Sequence, residues 1–146
     1  MPQSKSRLFD AVLPLIGRLL IVAIFLVSGA GKVAAPAAMI EYIASVGLPF
    51  PQLGLVIAVV VEIAGGAALL LGYRTRLAAS MLAGYCVATA VLFHADFVDQ
   101  NQIVHFLKNI AMTGGLLQIV AFGAGGFSLD ERAGRQGSPS TSPARM

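Results

Sequence analysis

One acidic residue, Glu62, lies in the middle of an apolar run, residues 53–72, where no water can solvate a carboxylate. A run of about twenty apolar residues is long enough to cross a bilayer as a helix, which places Glu62 near the hydrocarbon midplane. An ionisable group at that depth is expensive unless a polar group meets it. Arg18 and Lys108 lie in other apolar runs and are the obvious partners, so we expect a buried charge cluster.

The chemistry of such a cluster follows from its charge balance. Two cations against one anion leave an excess positive charge that can attract an anionic headgroup or a quinone carbonyl. Lys108 or Asn109 could donate a hydrogen bond to a carbonyl, and Glu62 could exchange the proton that accompanies reduction. The competing interpretation is structural: Arg18 and Lys108 snorkel to the nearest interface, Lys32 marks the membrane edge, and Asn109 bonds to a neighbouring helix.

Helical spacing adds further polar residues to the same faces. Ser28 and Lys32 share a face with Arg18, because all three recur at steps of three and four residues along one stripe. His105 and Asn109 accompany Lys108 in the last apolar run. The predicted ligand-binding cavity therefore consists of seven residues: Arg18, Ser28, Lys32, Glu62, His105, Lys108 and Asn109.

Composition predicts the elements that must hold these residues. Of all residues, 57% are hydrophobic and only 12% are charged, and the mean hydropathy is +0.81, against roughly 25% charged residues in ordinary soluble domains. Four apolar segments of spanning length cover residues 14–33, 53–72, 77–94 and 103–122. The sequence therefore predicts an all-α membrane fold, a four-transmembrane-helix bundle.

The remaining segments predict the domain organisation. Apolar residues at helical spacing in 36–47, with Pro36 at the start and Gly47 at the end, favour a short interfacial helix in the first outer loop over an irregular loop. We expect an N-terminal cytoplasmic segment over residues 1–10 and a membrane domain over 11–126. The region 127–146 is rich in Ser, Pro and Gly towards its end, and we expect a disordered cytoplasmic tail there.

Orientation follows from the positive-inside rule. In a four-span topology one side of the membrane carries seven basic residues and the other carries only Lys32. We therefore expect a multi-pass membrane protein with both termini cytoplasmic. A cleaved signal is a weaker interpretation of the N-terminal pattern, since Arg18 interrupts the apolar region. The seven residues are Lys5, Arg7, Arg74, Arg76, Arg132, Arg135 and Arg145.

Several chemistries are disfavoured by residue counts. Cys86 is the single cysteine, so the chain has no internal disulfide or thiol pair. His94 and His105 fall at the outer ends of two spans and could face each other, but no third ligand accompanies them, so we expect no metal site. No basic run interleaved with aromatic residues predicts nucleic-acid binding.

Five segments of the chain together form a recognisable pattern: GRLL at residues 17–20, FLVSGAGK at 25–32, YIASVGLP at 42–49, EIAGGAALLLG at 62–72 and FLKN at 106–109. They resemble the DoxX family of small bacterial membrane proteins, and this resemblance implies a location in the bacterial inner (plasma) membrane. These segments occur in the order of the family, over about residues 10–125. Some members are similar to subunits of quinone-linked oxidoreductases, and others associate with membrane-bound redox proteins.

The resemblance implies a non-catalytic, quinone-binding subunit of a redox-associated membrane complex. The chain carries no flavin fingerprint, haem ligand set or thiol pair, so it is at most a subunit of an oxidoreductase, with no intrinsic cofactor and a quinone as the expected ligand. We expect contact with the lipid bilayer and with a protein partner or a second copy. Two alternatives stay open: a small-molecule or proton-coupled transporter acting as an oligomer, and a structural assembly factor.

Overall fold

Helices make up most of the described part of the chain. The computed structural model describes residues 3–136, and the side chains of residues 9–135. No strand occurs among these residues, and four helices are long and apolar enough to cross a membrane. The predicted all-α membrane bundle is therefore confirmed. The helices are α1 (Gln3–Ala34), α2 (Pro36–Ser45), α3 (Pro51–Leu71), α4 (Thr75–Phe93), α5 (Gln100–Phe122) and α6 (Leu129–Gln136).

Helix α1 begins earlier than the sequence pattern indicated. Pro14 lies inside the helix rather than at its start, and residues 3–10 are helical as well. Residues 3–13 contain neither Gly nor Pro, so nothing in them interrupts a helix that the following span already nucleates. Residues 1 and 2 lie outside the described part of the chain.

The short helix between the first two spans occurs where it was predicted. Helix α2 starts with Pro36 at its first position, where the missing N–H of proline is harmless. It ends at Ser45, and Gly47 follows with a φ of 78°, a left-handed conformation that favours glycine. Ile43 of α2 is buried and faces Gly54 of α3, so α2 folds back over the end of the bundle.

The bundle consists of two helix pairs. Helix α1 packs on α3, and α4 packs along α5; the pairs join through contacts of α3 with α4 and, to a smaller extent, of α1 with α5. The core between them contains Val22, Leu69, Leu82 and Leu116, each at most 1% exposed. We refer to the end of the bundle where α1 begins and α5 ends as the terminal end, and to the opposite end as the α2 end.

Helix α3 is not regular. Residues Val61–Gly65 form a π-helical turn between two α-helical stretches, and Glu62 is its second residue. A π turn holds one more residue than an α turn and therefore changes the direction in which the side chains on either side of it point; such turns recur at functional sites. In this chain the π turn coincides with the acidic residue that the sequence singles out.

The chain after α5 differs from the predicted disordered tail. Residues 123–128 turn back across the terminal end, and Leu129–Gln136 form α6. Asp130 anchors this segment, since its carboxylate accepts hydrogen bonds of 2.8 Å from the backbone N–H groups of Arg74 and Thr75. A carboxylate at the N-terminus of a helix, here α4, satisfies N–H groups that have no partner within the helix. The rest of the predicted tail, 137–146, lies outside the described residues.

Candidate functional site

Glu62 is the centre of a polar cluster that we call the Glu62 cluster: Ser28, Lys32, Glu62 and Tyr85. Lys32 Nζ lies 2.8 Å from Glu62 Oε1 and 2.9 Å from Oε2. The hydroxyl groups of Ser28 and Tyr85 donate to Oε1 at 3.1 and 2.9 Å. Lys32 also donates to Ser28 Oγ at 2.7 Å. The carboxylate is only 3% exposed, and these bonds replace the water that it lacks.

Three helices supply the cluster. Ser28 and Lys32 are one turn apart on α1, so both face α3. Between them, Gly29 allows a close approach: a Cβ atom there would lie 2.7 Å from Ile63 Cγ1 and 3.3 Å from Glu62 Cβ. Any side chain at Gly29 would therefore push α1 away from the π turn and lengthen the bonds to Glu62.

The Glu62 cluster forms one wall of a cavity of ≈ 420 Å³ that extends from the middle of the bundle towards the α2 end. Its polar atoms are few, and most of the remaining surface is apolar. This combination is typical of sites that bind small molecules with one polar end. Apolar lining residues come from α1, α2, α3, α4 and α5, and include Phe25, Met39, Ile43, Ile57, Leu92 and Met112.

Helix α5 supplies the opposite polar wall. Lys108 lines the cavity and is exposed. Within the described residues it has no hydrogen-bond or ion-pair partner, so its predicted pairing with Glu62 is wrong; Glu62 pairs with Lys32 instead. Asn109 accepts a bond of 3.2 Å from Thr89 Oγ1 and donates to the His105 carbonyl at 3.0 Å. The predicted contact of Asn109 with a neighbouring helix therefore exists, beside its position in the cavity. Counting Lys32, Glu62 and Lys108, the cavity carries one more positive than negative charge.

The two histidines meet at the α2 end of the cavity. The rings of His94 and His105 are stacked, with centroids 5.0 Å apart, and His94 Nδ1 lies 2.7 Å from Gln102 Oε1. They thus face each other as their positions suggested. Within the described residues no group of three metal-ligating side chains occurs.

Arg18 does not belong to this site, so its predicted pairing with Glu62 is wrong. Arg18 is 1% exposed and donates to the carbonyl of Leu69 at 3.2 Å and to that of Phe127. It lies ten residues from Ser28 along α1, about 15 Å at the rise of a helix. An arginine side chain reaches about 6 Å. Arg18 is therefore a structural residue of the terminal end, and Lys32 takes the role that we predicted for it.

Comparison with known proteins agrees with this architecture. The DoxX sequence profile matches residues 13–95, more than half of the chain. The chain belongs to the DoxX family. Inner membrane protein YqjF of Escherichia coli (strain K12) is 36% identical over 116 residues, 80% of this chain and 88% of that protein. Inner membrane protein YphA of the same strain is 37% identical over 127 residues, 83% of this chain and 90% of that protein. No solved structure matches significantly.

The DoxX match divides the cavity into two parts. All four residues of the Glu62 cluster lie inside residues 13–95. His105, Lys108 and Asn109 lie beyond the matched region, on α5. Glu62 and Lys32 thus lie in the matched segment. Lys108, which has no partner among the described residues, lies in the segment after it.

Sequence reasoning missed Tyr85 and the partner of Glu62. Tyr85 is ten residues into α4, about 15 Å from its start, and is therefore at the depth of Glu62. A phenol at mid-membrane depth was a usable signal, because a buried Tyr hydroxyl usually needs a hydrogen-bond partner. Six of the seven predicted site residues do line one cavity, and Arg18 is the exception.

Proposed function

We propose that this inner membrane protein of the DoxX family binds the headgroup of a membrane quinone in its cavity and serves as a non-catalytic subunit of a redox-associated complex. The observation that carries the proposal is Lys108, an ammonium group without a partner among the described residues, at the wall of a largely apolar cavity. A cation in such surroundings favours a ligand with an oxygen acceptor on an apolar body.

The residues present fit a quinone headgroup. Phe25 and Met112 offer apolar surface for a ring, and Lys108 Nζ can donate to a carbonyl oxygen. A quinone, when bound, supplies reversible transfer of electrons and protons, which the side chains of this chain do not supply. The redox cofactor that exchanges electrons with it would belong to a partner protein.

The Glu62 cluster has a positioning role in this proposal. Lys32 balances the charge of Glu62, and Ser28 and Tyr85 complete its hydrogen bonds, so the carboxylate keeps the α1 and α3 walls in register. Proton exchange at Glu62, the role that we predicted for it, requires that Lys32 Nζ move away from the carboxylate. Lys108 is then the cation that remains free to meet the ligand.

The test is equilibrium binding of a benzoquinone with an alkyl tail to the purified protein in detergent. Replacing Lys108 by Gln removes one charged hydrogen bond, worth about 1.5–3 kcal/mol, and should weaken binding about tenfold or more. The matched control is Arg132→Gln, which removes the same charge from an exposed residue of α6. Equal affinities in the two variants would contradict the proposed site.

The subunit role also requires a partner, and the orientation suggests where it would bind. We propose that both termini are cytoplasmic, on the basis of the positive-inside rule. Arg74 and Arg76 are exposed at the terminal end and would then face a cytoplasmic partner. Affinity purification in mild detergent should recover a redox protein with the intact chain and lose it with Arg74→Gln and Arg76→Gln together.

The transport alternative has less support from the geometry. Between Glu62 and the terminal end, the core of the bundle is filled by four side chains that are at most 1% exposed: Val22, Leu69, Leu82 and Leu116. A path across the membrane would have to open this core. Flux through proteoliposomes that is lost in Lys108→Gln would favour transport over the subunit role.

A further inference from the structure

Two contacts hold the side of the cavity between α3 and α4 together, one at each end of the cavity. On the α3–α4 side, Tyr85 of α4 donates to Glu62 of α3 at 2.9 Å. At the α2 end, Tyr42 of α2 stacks on Phe93 of α4 with ring centroids 5.5 Å apart. Helix α2 also rests on α3, where Ile43 approaches Gly54. A hydrogen bond and a bridging helix therefore hold this side together.

The opposite side, between α1 and α5, is held by fewer contacts than the side between α3 and α4. Ile21 of α1 approaches Gly115 of α5, where a Cβ atom would lie 3.0 Å from Ile21 Cδ1. This contact lies between the cavity and the terminal end of the bundle. In residues 9–135, whose side chains are described, no hydrogen bond or ion pair joins α1 to α5.

On the cavity side of this contact, α1 and α5 are separated by what we call the α1–α5 gap. The residues at this gap are both exposed and part of the cavity lining. Ile24 on α1 is 46% exposed, and Lys108 on α5 is exposed; both line the cavity. Ile24 lies one turn from Ile21 on α1, and Met112 lies one turn before Gly115 on α5, so both follow the contact between Ile21 and Gly115 on its cavity side. The gap therefore connects the cavity with the surface that faces lipid.

We propose that the α1–α5 gap is a lateral portal, through which a ligand dissolved in the bilayer reaches the cavity and in which its alkyl or isoprenoid tail remains. This inference rests on the proposed function, since it assigns the tail of the same ligand. The polar head lies beside Lys108, and the apolar tail passes between Ile24 and Met112. The substrate class is thus a lipid-soluble quinone rather than a tail-less, water-soluble one.

The portal can be tested by photolabelling. The probe is a benzoquinone with a long alkyl tail that carries a diazirine in the tail, a few carbons from the ring, and it is added to the protein in lipid nanodiscs. Labelling that an excess of tailed quinone without the diazirine suppresses should map by mass spectrometry to α1 around Ile24 and to α5 around Met112. Suppressible labelling of α3 and α4 around Ile57 and Leu92 would overturn the portal and leave the headgroup site intact. Absence of suppressible labelling would overturn the proposed function and the portal together.

A pair of matched substitutions tests the same point independently. Ile24 and Ile57 both line the cavity and are 46% and 51% exposed, but only Ile24 borders the gap. Ile24→Trp should abolish suppressible labelling by the tailed probe, and Ile57→Trp should retain it. Binding of a tail-less benzoquinone should survive in Ile24→Trp, which shows that the variant is folded and that the headgroup site is intact. Equal labelling of the two variants would overturn the portal.

Discussion

Both ends of the bundle bury a long cationic side chain, but they satisfy it differently. At the α2 end, Lys32 meets the carboxylate of Glu62, and a cavity remains beside the pair. At the terminal end, Arg18 meets the backbone carbonyls of Leu69 and Phe127, and side chains fill the space around it. We call Arg18, the α3–α4 loop and residues 123–130 the terminal clasp.

The difference between the partners of Lys32 and those of Arg18 distinguishes a candidate binding site from a charge with a structural role. The guanidinium group of Arg18 connects three segments, α1, α3 and the chain after α5, and these segments shield it from solvent. The Glu62 cluster is equally well bonded, yet Lys108 stands across the cavity from it without a partner in the described residues. In this chain, a buried charge therefore indicates a candidate ligand site only where a second charge nearby has no partner among the described residues.

The largest expected effect is the loss of Glu62. Glu62→Ala leaves Lys32 without its counter-ion in a site that is largely shielded from water, and we expect a loss of about 3–5 kcal/mol in the free energy of unfolding. The measurement is thermal unfolding in detergent. Glu41→Ala is the matched control, since Glu41 is exposed on α2. A melting temperature equal to that of the control would mean that the pair contributes nothing to the bundle.

Removal of Arg18 should have the next largest effect. Arg18→Met keeps an apolar side chain of similar length but removes the side-chain donor of the Phe127 carbonyl, at about 1–3 kcal/mol for a buried carbonyl. The Leu69 carbonyl keeps its hydrogen bond of 3.2 Å from the Gly72 N–H and loses only its second donor. Arg132→Met, on the exposed face of α6, controls for the loss of charge. Quinone binding should be unchanged in Arg18→Met, because the clasp is remote from the cavity. A binding defect as large as that of Lys108→Gln would break the distinction between the two ends.

Gly72 tests how tightly the terminal clasp is packed. Its φ is 67°, and a Cβ atom there would collide with Arg18 Nη1 and with Ser128. Gly47 has a φ of 78° with open space around it. Gly47→Ala should cost about 1–2 kcal/mol for the left-handed backbone alone. Gly72→Ala should cost clearly more in the same unfolding assay; equal losses would show that the clasp can move aside.

The sequence allowed the depth of each charge to be predicted, but not the stagger between helices. Ser28 is six residues from the end of α1, about 9 Å, whereas Glu62 is eleven residues from the start of α3, about 17 Å. They are nonetheless hydrogen-bonded, so α3 starts roughly 8 Å farther out than α1 ends. This offset brings Lys32 rather than Arg18 to Glu62. Periodicity within one helix carries no information about such an offset.

Other features were predictable because they depend on local signals. The four spans follow from apolar length, and α2 follows from Pro36 and its helical spacing. The start of α6 was not predicted, because its stability comes from Asp130 binding the N-terminus of α4, more than fifty residues earlier in the chain. The π turn at Glu62 has no signal in residue type either, since it depends on the packing of α3 against α1 and α4.

A smaller effect is expected at Tyr85. Tyr85→Phe removes one of the three donors to Glu62 and leaves the ring in place, so the free energy of unfolding should fall by about 1.5–3 kcal/mol at most, as for one hydrogen bond to a charged group. Tyr73→Phe, on an exposed loop residue, is the matched control. Lys32 and Ser28 still hold the carboxylate in this variant. A loss as large as that of Glu62→Ala would mean that Tyr85, rather than Lys32, is the dominant partner.

The smallest effect concerns the pH dependence of the terminal clasp. Burial acts to raise the pKa of Asp130, but hydrogen bonds from the backbone of Thr75 and Arg74, together with the charge of Arg18, outweigh it and lower the pKa below its ordinary value of 3.8. A carboxyl group whose pKa is lower in the folded protein contributes stability that is fully present above the unfolded pKa and is lost as the pH falls through the folded pKa.

Asp130→Asn provides the measurement. The wild type should melt at a higher temperature than this variant at neutral pH, and the difference should shrink as the pH falls below about 3.8, the ordinary pKa of the carboxyl group. Because Asp130 is exposed, water screens its interactions and the difference should be small. Quinone binding beside the Glu62 cluster should be the same in the wild type and in Asp130→Asn at neutral pH, because the terminal clasp is remote from the cavity. A difference in melting temperature that is constant from neutral pH to well below 3.8 would mean that the charge of Asp130 does not hold the clasp, and that its side-chain shape does.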